Sequence, residues 1–166
     1  GVMALRPLKR DLMNILGIRV EPKKTTFSVI STENENYKII NIELIKIPAA
    51  LDFPEKLKYI RNCVLDILRE YKISIAGIRV AESNAQNLDV TRLHIEGVIQ
   101  EAFSSSNVEK YFVGRKNSIA SKLNMTGKEL ESVFKGDKVF ELIDNWDVCR
   151  TKPARESVLT AMGALA

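Results

Sequence analysis

The sequence predicts an α/β fold in which a mixed five-stranded sheet, an antiparallel three-strand meander extended by parallel strands, is flanked by helices. Three observations carry this. Up to residue 47 the chain holds three runs of β-branched and apolar residues separated by short polar turns. Beyond it, helix-period and strand-period segments alternate, as crossover connections require. Finally, the tetrapeptide Gly17-Ile18-Arg19-Val20 returns as Gly77-Ile78-Arg79-Val80, each copy ending an apolar run, so two strands share one pattern.

Residues 1–12 are basic and poorly patterned, and Met13 would serve as a start; they read as an N-terminal extension, disordered or left over from cloning, ahead of a single domain over 13–166. Ile15, Leu16, Ile18 and Val20 predict a buried first strand over 14–20, closed by the turn Glu21-Pro22-Lys23-Lys24. A second strand over 25–32 and a third over 37–47 follow, with the polar turn 33–36 between them. Asp52 and Glu55, with Pro54 in the first turn, form a helix start. Leu57, Ile60, Val64, Ile67, Leu68 and Tyr71 then recur at spacings of three and four, one apolar stripe to lie on the sheet.

The run 73–80 comes directly after this helix, so the fourth strand should be parallel to an earlier one. A polar loop over 81–88 sits at its carboxyl end, where open α/β sheets place ligands. Asp89 or Thr91 caps a second helix to about Phe103, with Leu93, Val98, Ile99 and Ala102 expected on its inner side. A fifth strand over 108–113, a short helix ending near Leu123, and a helix capped by Thr126 and Glu129 come next. The stretch 140–149 has no clear period, though Trp146 is expected in the core; Pro153 opens a last helix through Ala166, small and apolar enough to be buried.

Composition narrows the function classes. With 166 residues and 45% apolar content, one core is the natural expectation. Lysine plus arginine number 25 against 21 acidic residues, and the resulting +4 tolerates a polyanionic partner without demanding one. Cys63 and Cys149 are far apart and lack CxxC spacing, which suggests reduced thiols in a cytoplasmic protein and argues against a sulfur-held metal. No apolar run approaches the roughly 20 residues that span a bilayer, so no membrane partner is expected.

Arg19 and Arg79 are the residues that sheet packing does not explain. A guanidinium among core residues costs several kcal/mol unless it meets an anion or open water. Two on neighbouring strands would make a positive site at one end of the sheet.

The order of elements is that of the ribonuclease H-like fold, and Leu16-Gly17-Ile18-Arg19 followed by the 25–30 strand resembles the opening hairpin of RuvC-type Holliday-junction resolvases. Ile75-Ala76-Gly77-Ile78-Arg79 resembles their fourth strand, and Arg155-Glu156-Ser157-Val158-Leu159-Thr160-Ala161 the start of their final helix. The chain is also similar to uncharacterised small bacterial proteins of this fold that carry Ile-Arg in the fourth strand. The resemblance implies two divalent ions held by carboxylates ending strands one and four and on the last helix, and a homodimer through the second helix. Here Arg19 and Arg79 stand at the first two places; only Glu156 matches an acidic position. Arginine cannot ligate Mg²⁺, so two-metal cleavage at those positions is disfavoured.

The leading expectation is therefore a non-catalytic protein of this fold, a pseudo-nuclease without cofactor, binding nucleic-acid phosphate (DNA or RNA) through Arg19, Arg79, Lys116 and Lys122, or binding a protein partner. The alternative is an Mg²⁺- or Mn²⁺-dependent endonuclease on structured nucleic acid, using Glu21, Glu82 and Glu156 as a displaced carboxylate cluster. A third arrangement joins the two sets, the arginines being neutralised by Glu21, Glu82 or Glu156 as an ion-pair network where metals once sat. Lys128 and Lys135 extend the lysine series, with a solvated face as the plain alternative. His94, Ser83 and Ser118 have no catalytic context, and neither thiol has a basic neighbour assignable from sequence.

Overall fold

The computed structural model describes residues 12–33, 36–84 and 86–166. The expectations for the N-terminal extension and for the middle of the 33–36 turn lie outside them, apart from the exposed Leu12. Strand β1 spans Asn14–Val20, β2 Thr25–Ser31 and β3 Lys38–Ile45; α1 spans Phe53–Glu70, β4 Ile73–Arg79, α2 Val90–Ser105 and β5 Lys110–Gly114. Three helices follow, α3 Lys116–Lys122, α4 Gly127–Lys135 and α5 Lys152–Leu165, with a 3₁₀ turn at Trp146–Val148 before the last. The sheet has the order β3-β2-β1-β4-β5, antiparallel from β3 to β1 and parallel from β1 to β5.

The two copies of the tetrapeptide pair with each other. In the parallel register of β1 and β4, Gly17 faces Gly77, Ile18 faces Ile78 and Arg19 faces Arg79. Because strand residues alternate faces, the isoleucines go to one side and the glycines and arginines to the other. Leu16, Ile18, Val20, Ala76 and Ile78 join Ile60, Val64, Ile95 and Ile99 in a core beneath α1 and α2. Ile15 and Ile75 join Phe134, Trp146, Val158 and Met162 in a second core beneath α5.

The α5 side is the tighter one. A Cβ on Gly17 would stand 1.9 Å from the Ser157 carbonyl oxygen, and one on Gly77 would stand 3.0 Å from that of Thr160. Side-chain-free positions on two adjacent strands thus form the trough into which α5 drops. From Ala154 to Ala164 the helix is buried throughout except Arg155, and its two hydroxyl side chains satisfy themselves locally. Ser157 Oγ donates to the Ala154 carbonyl and Thr160 Oγ1 to that of Glu156, each at 2.7 Å.

Most helix starts follow their sequence signals. Asp52 and Glu55 form a reciprocal capping box on α1, and Thr126 and Glu129 form one on α4, which ends at Gly136 with φ 86°. Asp89, not Thr91, caps α2. The expected inner face of α2 is corrected: Leu93 is exposed and Val98 half-buried, while Ile95, Glu96, Ile99, Ala102 and Phe103 are buried. β3 starts one residue later than expected and ends at Ile45, since Tyr37 bridges to Ile143 instead. β5 begins at Lys110, two residues after the expected start, and runs on to Gly114. No helix among the described residues is long and apolar enough to cross a membrane.

Candidate functional site

The close seating of α5 carries Glu156 between the two arginines. Its Oε1 accepts from Arg19 Nε at 3.2 Å, and its Oε2 forms an ion pair with Arg79 Nη1. Glu156 is 2% and Arg79 5% exposed, so the pair is closed to bulk water; Arg19 is half-buried, its side chain retaining 15% exposure. Arg19 Nη1 donates to its neighbour's carbonyl, that of Val20, at 2.6 Å. The Arg79 guanidinium lies 5.3 Å from the Phe134 ring centroid, a cation–π contact that lends it a second partner away from solvent.

Burial pushes the pKa of both arginines down. For Arg19 the charges of Glu21, Glu96 and Glu82 oppose that fall. For Arg79 burial is joined by repulsion from Arg19, and its pKa falls to about 10. At neutral pH each guanidinium is still charged, and the three side chains sum to one positive charge.

A ring of further ion pairs surrounds this triad. Glu96, buried on α2, accepts from the Ala81 N–H with both oxygens, at 3.0 and 3.2 Å, and from Arg92 Nε at 2.7 Å. Arg115 Nε donates to the Ala81 carbonyl at 2.8 Å, and Glu82 accepts from the Lys116 N–H at 3.2 Å. Ala81 and Glu82, just beyond β4, are held from three directions, which fixes the base of the 81–88 loop. Glu131 on α4 takes Lys116 at 2.8 Å and Lys152 at 3.4 Å.

The residues singled out by sequence are therefore distributed as follows. Arg19, Arg79 and Glu156 converge. Glu21 meets Lys24 at 3.9 Å and Glu82 turns to the α3 backbone, and no group of three or more His, Cys, Asp or Glu among the described residues is placed to hold a metal ion. The displaced carboxylate cluster is thus not assembled: each of its members is engaged by a different cationic or N–H donor. Lys122, exposed, lies 5.6 Å from the Phe112 ring centroid and 3.4 Å from the Ala166 carbonyl oxygen. His94 Nδ1 is 2.8 Å from the Val90 carbonyl oxygen, and its ring stacks edge-on against Phe53. Burial lifts the Cys149 thiol to about 12, which removes it as a nucleophile. Sequence reasoning missed Glu96, Arg92, Glu131 and Phe134. Only the four-residue spacing of Arg92 and Glu96 was a readable sign of one of these contacts.

Comparison with known proteins places the fold. No family model matches the chain. The crossover junction endodeoxyribonucleases RuvC of Bordetella parapertussis and Bordetella pertussis are each 31% identical over 72 residues, 43% of this chain and 40% of theirs. The chain thus matches well under half the length of these relatives. Among solved structures, Thermus thermophilus RuvC superposes with a TM-score of 0.68 at 15% identity, over 91% of this chain and 92% of that one. The same protein in complex with a Holliday junction substrate gives 0.67 at 16% identity with the same coverage. The yeast mitochondrial Holliday junction resolvase Ydc2 gives 0.56 at 14% identity, over 99% of this chain and 83% of that one. The fold is that of the RuvC-type, ribonuclease H-like proteins.

Proposed function

We propose that this chain is a non-cleaving member of the RuvC-like fold that binds structured nucleic acid, its Arg19–Glu156–Arg79 triad standing where relatives of this fold hold metal ions. The observation that carries the reading is the closure of both arginines on one buried carboxylate. In-line phosphoryl displacement with two metals needs several carboxylate oxygens converging on each ion. Here the single matching carboxylate already has a guanidinium paired with each oxygen, and the net positive charge of the triad repels a divalent cation. The residues do not fit the ions, and the site is read as structural.

Phosphate recognition is then assigned to cations outside the triad. Arg79 is closed to water and both guanidiniums are engaged by Glu156, which leaves the arginines little access to a polyanion. Lys116 and Lys152 together exceed the one carboxylate they share, and among the described residues Lys122 meets a carbonyl and a ring. The test is a four-way DNA junction and an RNA–DNA hybrid incubated with the protein and Mg²⁺ or Mn²⁺. The expected result is binding without cleavage. Affinity should fall as salt rises, and Lys116→Ala or Lys122→Ala should each flatten that log–log slope by about 0.9. Metal-dependent cleavage abolished by Glu156→Ala would instead establish the nuclease reading.

A further inference from the structure

A second surface lies on β3, at an edge of the sheet and separated from the triad strands by β2. From Ile40 onward this strand has β2 on one side and, among the described residues, no strand on the other. Its start is covered: Asn145 takes both backbone groups of Ile39, Oδ1 accepting from the N–H and Nδ2 donating to the carbonyl, each at 2.9 Å. An open backbone edge is a template for one more strand unless charge, proline or a covering element blocks it.

The two faces beside this edge differ in chemistry. A bulge opposite Val29 and Ile30 resets the alternation, after which Ile42 packs in the core beneath α5 while Glu43 and Ile45 turn toward α1. Leu44 then returns to the α5 side. There Leu44 is 44% exposed, a large apolar side chain, and Ile40, the unpaired residue of the bulge, is exposed to the same degree. On the α1 side a groove of about 500 Å³ runs along the strand, floored by Phe27, Ile45 and Tyr59 and rimmed by Glu43, Asp66 and Glu70. Lys46 is the cation among its lining residues. Asp66 shares a surface pair with Arg69 at 2.5 Å, but at 62% side-chain exposure such a pair leaves most of its charge available.

We infer that β3 docks an extended segment of a partner protein in which basic and apolar residues alternate. The basic side chains enter the groove toward Glu43, Asp66 and Glu70; the apolar ones lie beside Leu44. The added strand contributes ladder hydrogen bonds, and its period of two matches the acidic face and the apolar face at once. The three carboxylates exclude an acidic strand and nucleic-acid phosphate from the same groove. This inference is independent of the nucleic-acid reading, since none of its residues belongs to the triad or to the helices that carry Lys116, Lys122 and Lys152.

The experiment is a titration of the isotopically labelled 166-residue chain, followed by its backbone amide resonances, with an eight-residue peptide alternating lysine and valine. A counterpart alternating glutamate and valine serves as the second probe. Shifts centred on residues 40–46, with at least tenfold tighter binding of the lysine peptide, are expected. Asp66→Lys combined with Glu70→Lys, both at exposed helix positions, should reverse that preference while leaving the melting temperature unchanged. Shifts at the other edge strand (110–114) in place of 40–46, equal binding of both peptides, or no shifts would overturn the inference.

Discussion

Gly17→Ala is expected to lower the unfolding free energy by about 3 kcal/mol or more, the upper end of what overpacking a core costs. The reason is the partner of the new methyl group. It would fall 1.9 Å from the Ser157 carbonyl oxygen, with the Ala161 backbone nitrogen at 2.8 Å, and neither can move without lifting α5 off the sheet. The same substitution at Gly77 meets its nearest atom at 3.0 Å, and it should cost only about 1 kcal/mol because a small shift relieves it. In a chain of this length the first change should lower the melting temperature by roughly 6–12 °C. Thermal unfolding of both variants reads the difference directly, and equal effects at the two glycines would show that α5 is not seated as described.

Glu156→Ala is the second large effect, expected to cost about 3–5 kcal/mol, because it strands the buried charge of Arg79 and removes the anchor of Arg19. The mechanism separates from simple loss of packing by a double-mutant cycle. If the stranded charge is the main cost, adding Arg79→Met to Glu156→Ala should recover more than half of the lost stability, since both members of the pair are then gone. Urea unfolding of the two single variants and the double variant gives the coupling. Strict additivity would mean that Arg79 and Glu156 do not hold each other.

These expectations show what the sequence made legible. The echoed tetrapeptide pointed to paired strands and to an arginine site, because glycine and arginine at two-residue spacing must share a strand face. What it could not supply was the arginines' partner. Glu21, Glu82 and Glu156 were equal in chemistry, and the choice depended on how closely α5 approaches the sheet, which the two glycines set only once the register of β1 and β4 is known. The inner face of α2 was misread for a related reason. Apolar residues occur all around that helix, so its period is weak, and Glu96 is buried by its bond to a backbone N–H fifteen residues away rather than by any apolar character. The open edge of β3 was also invisible, because a strand's neighbours are a property of the sheet order and not of its own pattern.

The relation of the triad to metal binding is the centre of the account. It is tested most directly by adding Mn²⁺ to the labelled protein and following paramagnetic broadening of resonances around residues 19, 79 and 156. The natural sequence should show no selective broadening there, whereas an Arg19→Asp, Arg79→Glu double variant, which places carboxylates around Glu156, should broaden at all three positions. Selective broadening of those resonances in the unaltered chain would contradict the account.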